Sequence, residues 1–168
     1  RLAKLARAAY ATVREVLEEA AGVGKGVPGA VASIQSYGSL LDFHPHIHLL
    51  ASWGLFAADG TFTAVAEVPD AETLEKLFRH KVLKMLKDEG AIDEDAIRNM
   101  LGWKHTGFSA HVGPEIAATD ARARENVARY LAHAPVVLGR IVGGEGADRV
   151  IYKSDTIHPR HAANFRAF

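Results

Sequence analysis

Three histidines fall within five residues of this sequence, at positions 44, 46 and 48. The residues around them favour a β-strand, on which residues two apart point to the same face about 6.6 Å from each other. His46 and His48 can therefore direct both imidazoles at one ion, while Ile47 between them enters the core. Imidazole is the commonest metal ligand among protein side chains, so the spacing predicts a two-histidine metal clamp.

Two imidazoles leave the coordination of a metal incomplete. Candidates for a third ligand are Gln35 on the preceding predicted strand, His44, and His111 further along the chain. The residue pattern does not choose among them. The simpler alternative is that the paired histidines are polar residues on a solvated strand face. The apolar residues that follow them disfavour this alternative, because burying histidines without a partner costs free energy.

Tyr130 lies near the C-terminal end of a predicted helix, beside Arg129. A single tyrosine on an amphipathic helix usually packs half-buried, which is the simpler interpretation. A phenol, with an ordinary pKa of about 10, attacks phosphorus well only where a metal holds the phosphate and offsets the developing charge. A metal-bearing strand facing a helix with a tyrosine is the minimal apparatus for cutting DNA and keeping the cut end covalently attached.

Hydrophobic periodicity and turn residues predict the elements that must position these side chains. The helices are predicted over 2–21, 71–89, 93–101 and 121–133, and the strands over 30–37, 47–56, 61–67, 106–112, 136–142 and 149–153. The first three strands form a meander. This order predicts an α+β domain with a central antiparallel sheet, the histidine strand near its centre and helices packed mainly on one face.

Composition excludes several classes of function. The chain has 168 residues, of which 48% are hydrophobic, enough to bury a core in one domain. Twenty basic residues balance twenty acidic ones, so any nucleic-acid site must be a local patch. The chain has no cysteine, which excludes disulfides, iron–sulfur clusters and thiol catalysis. No apolar run approaches the roughly 18 residues of a membrane span, so no membrane is expected as a partner.

Four segments form a combination that is specific, although each alone is not. They are Gln35-Ser36-Tyr37-Gly38, then residues 41–50 (LDFHPHIHLL), residues 107–111 (GFSAH), and Arg129-Tyr130-Leu131 followed by Pro135 and Arg140. Together they resemble the rolling-circle transposases of the insertion-sequence-91 type. These belong to the HUH endonuclease superfamily, which is named for its His-hydrophobic-His motif. The resemblance runs from about residue 30 to the end of the chain.

The resemblance implies an HUH fold with a ferredoxin-like palm, and the nicking and rejoining of single-stranded DNA at the ends of a mobile element. His46 and His48 would hold Mg²⁺ or Mn²⁺, with Gln35 as third ligand. Tyr130 would attack the scissile phosphate, leaving a 5′-phosphotyrosine and a free 3′-hydroxyl. The ion preference comes from the family, since two imidazoles suit Zn²⁺ or Mn²⁺ at least as well.

Backbone contacts to DNA are expected from Arg129, His133 and Lys153. The simpler interpretation of each is a solvated surface residue, as it is for a basic stripe on the predicted helix 71–89. His133 stands where the family has an arginine. Some members also carry two tyrosines four residues apart, whereas here the earlier position is Asn126. The resemblance therefore places the chain with the single-tyrosine members.

The expected organisation is an N-terminal amphipathic helix, residues 1–22, leading into an HUH catalytic domain, residues 28–168, that is truncated at its C-terminal end. The chain would be the core of a larger transposase, without the family's N-terminal Cys-rich zinc domain. A bacterial cytoplasmic, nucleoid-associated location follows from that resemblance. Two alternatives stay open: a zinc-dependent hydrolase that uses His46, His48 and His111, and an inactive transposase fragment that still binds DNA.

Overall fold

Four amphipathic helices form where the sequence predicts them. The computed structural model describes residues 1–22, 25–67, 70–132, 136–143, 148–158 and 163–168. The helices are α1 (Leu2–Ala21), α2 (Ala71–Asp88), α3 (Glu94–Leu101) and α4 (Ala121–Leu131). Asp70, Asp93 and Asp120 precede the last three, and each carboxylate accepts a hydrogen bond of 2.7–2.8 Å from a backbone N–H three residues on. In the described part of the chain, no helix is long and apolar enough to cross a membrane.

The β-structure of the described residues is divided among three small sheets. The strands are β1 (Ala30–Tyr37), β2 (Phe43–Ala51), β3 (Gly54–Phe56), β4 (Phe62–Ala64), β5 (Ile141–Val142), β6 (Ile151–His158) and β7 (Ala163–Ala167). Strand β1 pairs with β2, β3 with β4, and β6 with both β5 and β7. The predicted α+β class is confirmed. In place of one central sheet with a three-stranded meander, the first four strands form two separate pairs.

The predicted strand 47–56 is two strands with a break between them. The Ser52 hydroxyl donates to the Gly54 carbonyl at 2.9 Å and accepts from the Gly29 N–H at 3.0 Å, which turns the chain after β2. Strand β2 also begins at Phe43, four residues earlier than predicted, and so includes Pro45. Every strand of a two-stranded sheet is an edge strand, where a proline without an N–H is tolerated.

Four other strand predictions need correction. The strand predicted over 61–67 is shorter and contains only Phe62–Ala64, as β4. Residues 106–112 form no strand; there, the Phe108 N–H donates to the Thr106 hydroxyl at 3.2 Å, a local bond that competes with strand pairing. In 136–142, a short 3-10 helix, Leu138–Arg140, replaces the middle of the predicted strand, and only Ile141–Val142 form a strand, β5. The strand predicted over 149–153 begins at Ile151 as β6, and its antiparallel partner β7 was not predicted.

The chain divides into two compact units. Unit 1 contains Arg1–Ala32 and Leu49–Ala117, and unit 2 contains Ser33–His48 and Ala118–Phe168. In unit 1, α1 packs against α2 and against β3. Leu17 of α1, Leu55 of β3 and Val65 form a buried core cluster. In unit 2, Tyr152 on β6 is buried, and its hydroxyl accepts the Val137 N–H at 3.4 Å.

Removing the Leu55 side chain tests whether this cluster holds unit 1 together. Leu55 is 1% exposed, so Leu55→Ala leaves a cavity and should lower the free energy of unfolding by about 2–5 kcal/mol. Urea denaturation followed by circular dichroism measures this loss. Leu2, which is 41% exposed, is the matched control, and Leu2→Ala should cost less than about 1 kcal/mol. Equal losses in the two variants would contradict this account of the core.

Candidate active site

A hairpin positions the three histidines. Strands β1 and β2 are joined by residues 38–42, and the Gly38 N–H donates to the Asp42 carbonyl across this connection at 2.8 Å. A connection of that length is too short for a parallel crossover, so the two strands run antiparallel. Leu41 in the connection adopts a positive φ of 59°. The tight connection sets where β2 begins and therefore which strand face carries the histidines.

The histidine rings lie next to one another along one face of β2, tilted or edge to face. The ring centroids of His46 and His48 are 4.9 Å apart with the planes at 84°, and those of His44 and His46 are 5.3 Å apart. His46 and His48 are half-buried, whereas His44 is exposed. Ile47, expected in the core, is also only half-buried. The two predicted clamp residues are thus neighbours in space, as the strand spacing requires.

The His44 backbone carbonyl orients the His46 ring. Its oxygen lies 2.7 Å from His46 Nδ1. A carbonyl oxygen can only accept, so Nδ1 carries the proton and donates. That tautomer leaves the lone pair of His46 Nε2 free for a metal, the arrangement typical of metal-binding histidines. Sequence reasoning missed this contribution, because it comes from a backbone atom and no side-chain pattern encodes it.

Tyr130 on α4 meets the histidine strand. Its hydroxyl oxygen lies 3.4 Å from His48 Nε2, and the two ring centroids are 4.7 Å apart at 75°. The tyrosine is 56% exposed, so its ring is not a packing residue of a core. The strand and the helix that the sequence singled out therefore place their candidate side chains side by side in unit 2.

The environment of His48 favours its neutral form. Partial burial lowers the pKa of His48 below its ordinary 6.5, and the neighbouring charge of His46 lowers it further. A neutral imidazole is the form that binds a metal. At pH 7 the His48 ring is therefore available as a ligand without first losing a proton.

The donor groups of this site fit a divalent ion with an incomplete protein shell. His46 Nε2 and the His48 ring are two candidate nitrogen donors, and Gln35 is half-buried on β1, the strand that pairs with β2. Within the described part of the chain, no three His, Asp or Glu side chains are grouped to hold a metal. His111, the third histidine of the zinc-hydrolase alternative, belongs to unit 1. Such a donor set leaves coordination positions for water or phosphate oxygens.

Two of the three expected DNA contacts lie in the described part of unit 2. Arg129 is exposed next to Tyr130 on α4, and its guanidinium pairs with Glu125 one turn earlier at 2.6 Å. Lys153 is exposed on β6. His133 lies outside the described residues. An exposed ion pair such as that of Arg129 contributes about 0–1 kcal/mol, so a phosphate can replace the carboxylate at little cost.

Comparison with known proteins identifies the class. The family model described as "Putative transposase" matches residues 29–166, which is most of the chain. The chain therefore belongs to this transposase family. The match includes both strands of the histidine hairpin and the helix that carries Tyr130. Neither a curated protein nor a solved structure matches the chain significantly.

The titration of His48 tests the electrostatics of the site. NMR of the imidazole protons should give a midpoint below pH 6.5, and His46→Ala should raise it only in part, because burial is the larger cause. The unfolded chain binds this proton near the ordinary pKa. The contribution of His48 to folding stability is therefore complete above pH 6.5 and decreases as the pH falls towards the folded pKa. A midpoint above 6.5 would contradict this environment.

Proposed function

We propose that this transposase nicks and rejoins single-stranded DNA through a covalent 5′-phosphotyrosine, with Tyr130 as nucleophile, in rolling-circle transposition. The observation that carries the proposal is the 3.4 Å approach of the Tyr130 hydroxyl to His48 Nε2. These residues are 82 positions apart in sequence. Folding thus gathers a phenol and two imidazoles, a combination suited to tyrosyl attack on a phosphate.

In this proposal His46, His48 and Gln35 hold a divalent ion, Mg²⁺ or Mn²⁺. When bound, the ion supplies positive charge that offsets the charge developing on the scissile phosphate. The His44 carbonyl keeps His46 in the tautomer that carries its proton on Nδ1 and leaves the Nε2 lone pair for the ion. The lowered pKa of His48 keeps that ring neutral, so it does not need to be deprotonated at pH 7.

The chemistry is an exchange of one phosphate ester for another. The Tyr130 oxygen forms a bond to phosphorus, and the bond from phosphorus to the 3′-oxygen breaks. The phenolic proton leaves to solvent, which reaches the exposed tyrosine, and the departing 3′-oxygen takes up a proton. No water is consumed, so the ester bond is conserved and a 3′-hydroxyl can reverse the reaction. Reversal at a new 3′-end joins strands, which is what transposition requires.

Unit 2 also supplies cations for the DNA backbone. Arg129 adjoins the nucleophile and Lys153 lies exposed on β6, so both are proposed to contact phosphates together with His133. Asn126 lies one helical turn before Tyr130, where a second tyrosine would stand. An amide is not a nucleophile for this step, so in this proposal each chain supplies one tyrosine nucleophile from α4.

Covalent capture of DNA tests the nucleophile. With Mn²⁺ and labelled single-stranded oligonucleotides from the mobile element's ends, the protein should form a DNA adduct that resists denaturing gel electrophoresis. Tyr130→Phe removes one oxygen and should reduce the adduct at least about 10³-fold, and EDTA should abolish it. Tyr37→Phe is the matched control, since Tyr37 is an exposed tyrosine of the same unit. DNA binding without any adduct would support the inactive-fragment alternative instead.

Metal titration tests the ligands independently of DNA. Removing one ligand by His46→Ala, His48→Ala or Gln35→Ala should weaken Mn²⁺ binding at least about tenfold, measured by calorimetry or electron paramagnetic resonance. His44→Ala deletes the exposed ring of the other candidate third ligand on this hairpin but keeps the carbonyl that orients His46, so it should leave binding unchanged. A loss in His44→Ala, with none in Gln35→Ala, would make His44 the third ligand. Loss of binding in His111→Ala, with a strong preference for Zn²⁺, would instead support the zinc-hydrolase alternative.

A further inference from the structure

Unit 1 contains a groove between α2 and α3 that the tyrosine chemistry does not use. Its cavity volume is about 510 Å³. The α2 wall carries residues 76, 79, 80, 83, 84 and 87, whose spacing of three and four places them on one helix face. Arg98 and Leu101 of α3 line the opposite wall.

Cationic side chains are concentrated in this groove. Five cationic side chains line it, against the two carboxylates of Asp88 and Glu94. Four of the five cations pair with carboxylates: Lys76 with Glu72, Lys84 with Asp88, Lys87 with Glu94 and Arg98 with Asp95. The excess in the groove is therefore one positive charge, in a chain whose formal net charge is +0. Lys81, which lies on the same helix, faces the other way and pairs with Glu15 of α1. The groove therefore gathers cationic side chains on one surface of a chain without net charge, which is the local arrangement that a neutral DNA-binding protein needs.

The ion pairs of the groove leave cations available to an incoming anion. Lys84 pairs with Asp88 at 2.9 Å, but both side chains are more than half exposed, and such pairs contribute about 0–1 kcal/mol. Arg79 is half-buried and forms no ion pair with any residue that the structure describes. A guanidinium held in this position is a donor for phosphate oxygens, which it can bind in a bidentate manner.

Apolar side chains lie between the cations. Ile97 of α3 is half-buried and Leu101 is 51% exposed, so both give the groove apolar surface, whereas Leu83 of α2 is buried. A groove that combines cations with apolar surface is suited to a single strand, because phosphates contact the charges while unpaired bases contact the apolar surface. A duplex keeps its base faces stacked inside and cannot use such a surface.

We infer that the α2–α3 groove binds the backbone of single-stranded DNA as a second contact, in the unit that does not contain Tyr130. The identity of the DNA rests on the proposed function, but its binding is measurable without cleavage. The groove would hold a strand by sequence-independent charge contacts. Base-specific recognition is not part of its role.

Binding of labelled oligothymidylate of 20 residues, followed by fluorescence anisotropy in EDTA across a sodium chloride series, tests the groove. The double variant Arg79→Gln with Lys84→Gln removes two phosphate contacts. The slope of log affinity against log salt should become shallower by about 1.4, and affinity at 0.1 M salt should fall about 10- to 30-fold. The charge-retaining pair Arg79→Lys with Lys84→Arg should keep most of the slope and most of the affinity.

A matched control makes the same charge change elsewhere in unit 1. Arg7 and Lys25 are exposed and do not line the groove, so Arg7→Gln with Lys25→Gln should leave the slope unchanged. Equal losses in both double variants, no loss in either, or no binding of single strands would overturn the inference. The inference would also be overturned if the binding of a 20-base-pair duplex, or of polyglutamate of equal charge, depended on Arg79 and Lys84 to the same extent.

The adduct assay separates this inference from the proposed function. If the groove variants bind single-stranded DNA weakly and the parent protein forms no adduct, the groove inference is supported and the nicking proposal fails. If the parent protein forms an adduct and the groove variants bind single-stranded DNA as tightly as the parent, the nicking proposal is supported and the groove inference fails.

Discussion

The contact between the Tyr130 phenol and the His48 imidazole joins two elements that are far apart in sequence, and the proposed chemistry depends on it. It requires a short hairpin connection, which sets the register of β2, and an Asp120 cap, which begins α4 at a defined residue. A shift of one residue in β2 would turn both imidazoles to the opposite face. The caps and the turn are therefore as much a part of the site as the side chains that meet there.

The polar environment of the site is consistent with a reaction on a large, charged substrate. Tyr130 and His44 are exposed, whereas His46, His48 and Gln35 are half-buried. This half-burial lowers the pKa of His48 while leaving the tyrosine accessible to a DNA strand. The division into two units separates the tyrosine and histidines of unit 2 from the basic groove of unit 1. The proposed chemistry and the proposed sequence-independent strand binding therefore belong to different parts of one small chain.

The helices, whose spacing and caps depend on residues close in sequence, were predicted well. Several strands, which depend on hydrogen-bond partners elsewhere, were not. The four helices agree with their predicted ranges over the described residues because amphipathic spacing and aspartate caps act within one helical turn. Strand prediction failed where local side-chain hydrogen bonds decided the path, at Ser52 and Thr106. It also failed at β7, because strand pairing depends on a partner that no short window of sequence contains.

The sequence by itself determined the helices, the α+β class and the transposase resemblance. It also determined the alternation that places His46 and His48 on one strand face. Each of these follows from short-range periodicity or motif spacing. Only the tertiary structure decided that Tyr130 meets His48, that the His44 carbonyl selects the tautomer of His46, and that basic residues of two helices line one groove. These features depend on backbone atoms and on approaches between distant segments. Such approaches result from the packing of the whole chain and leave no signal in local sequence.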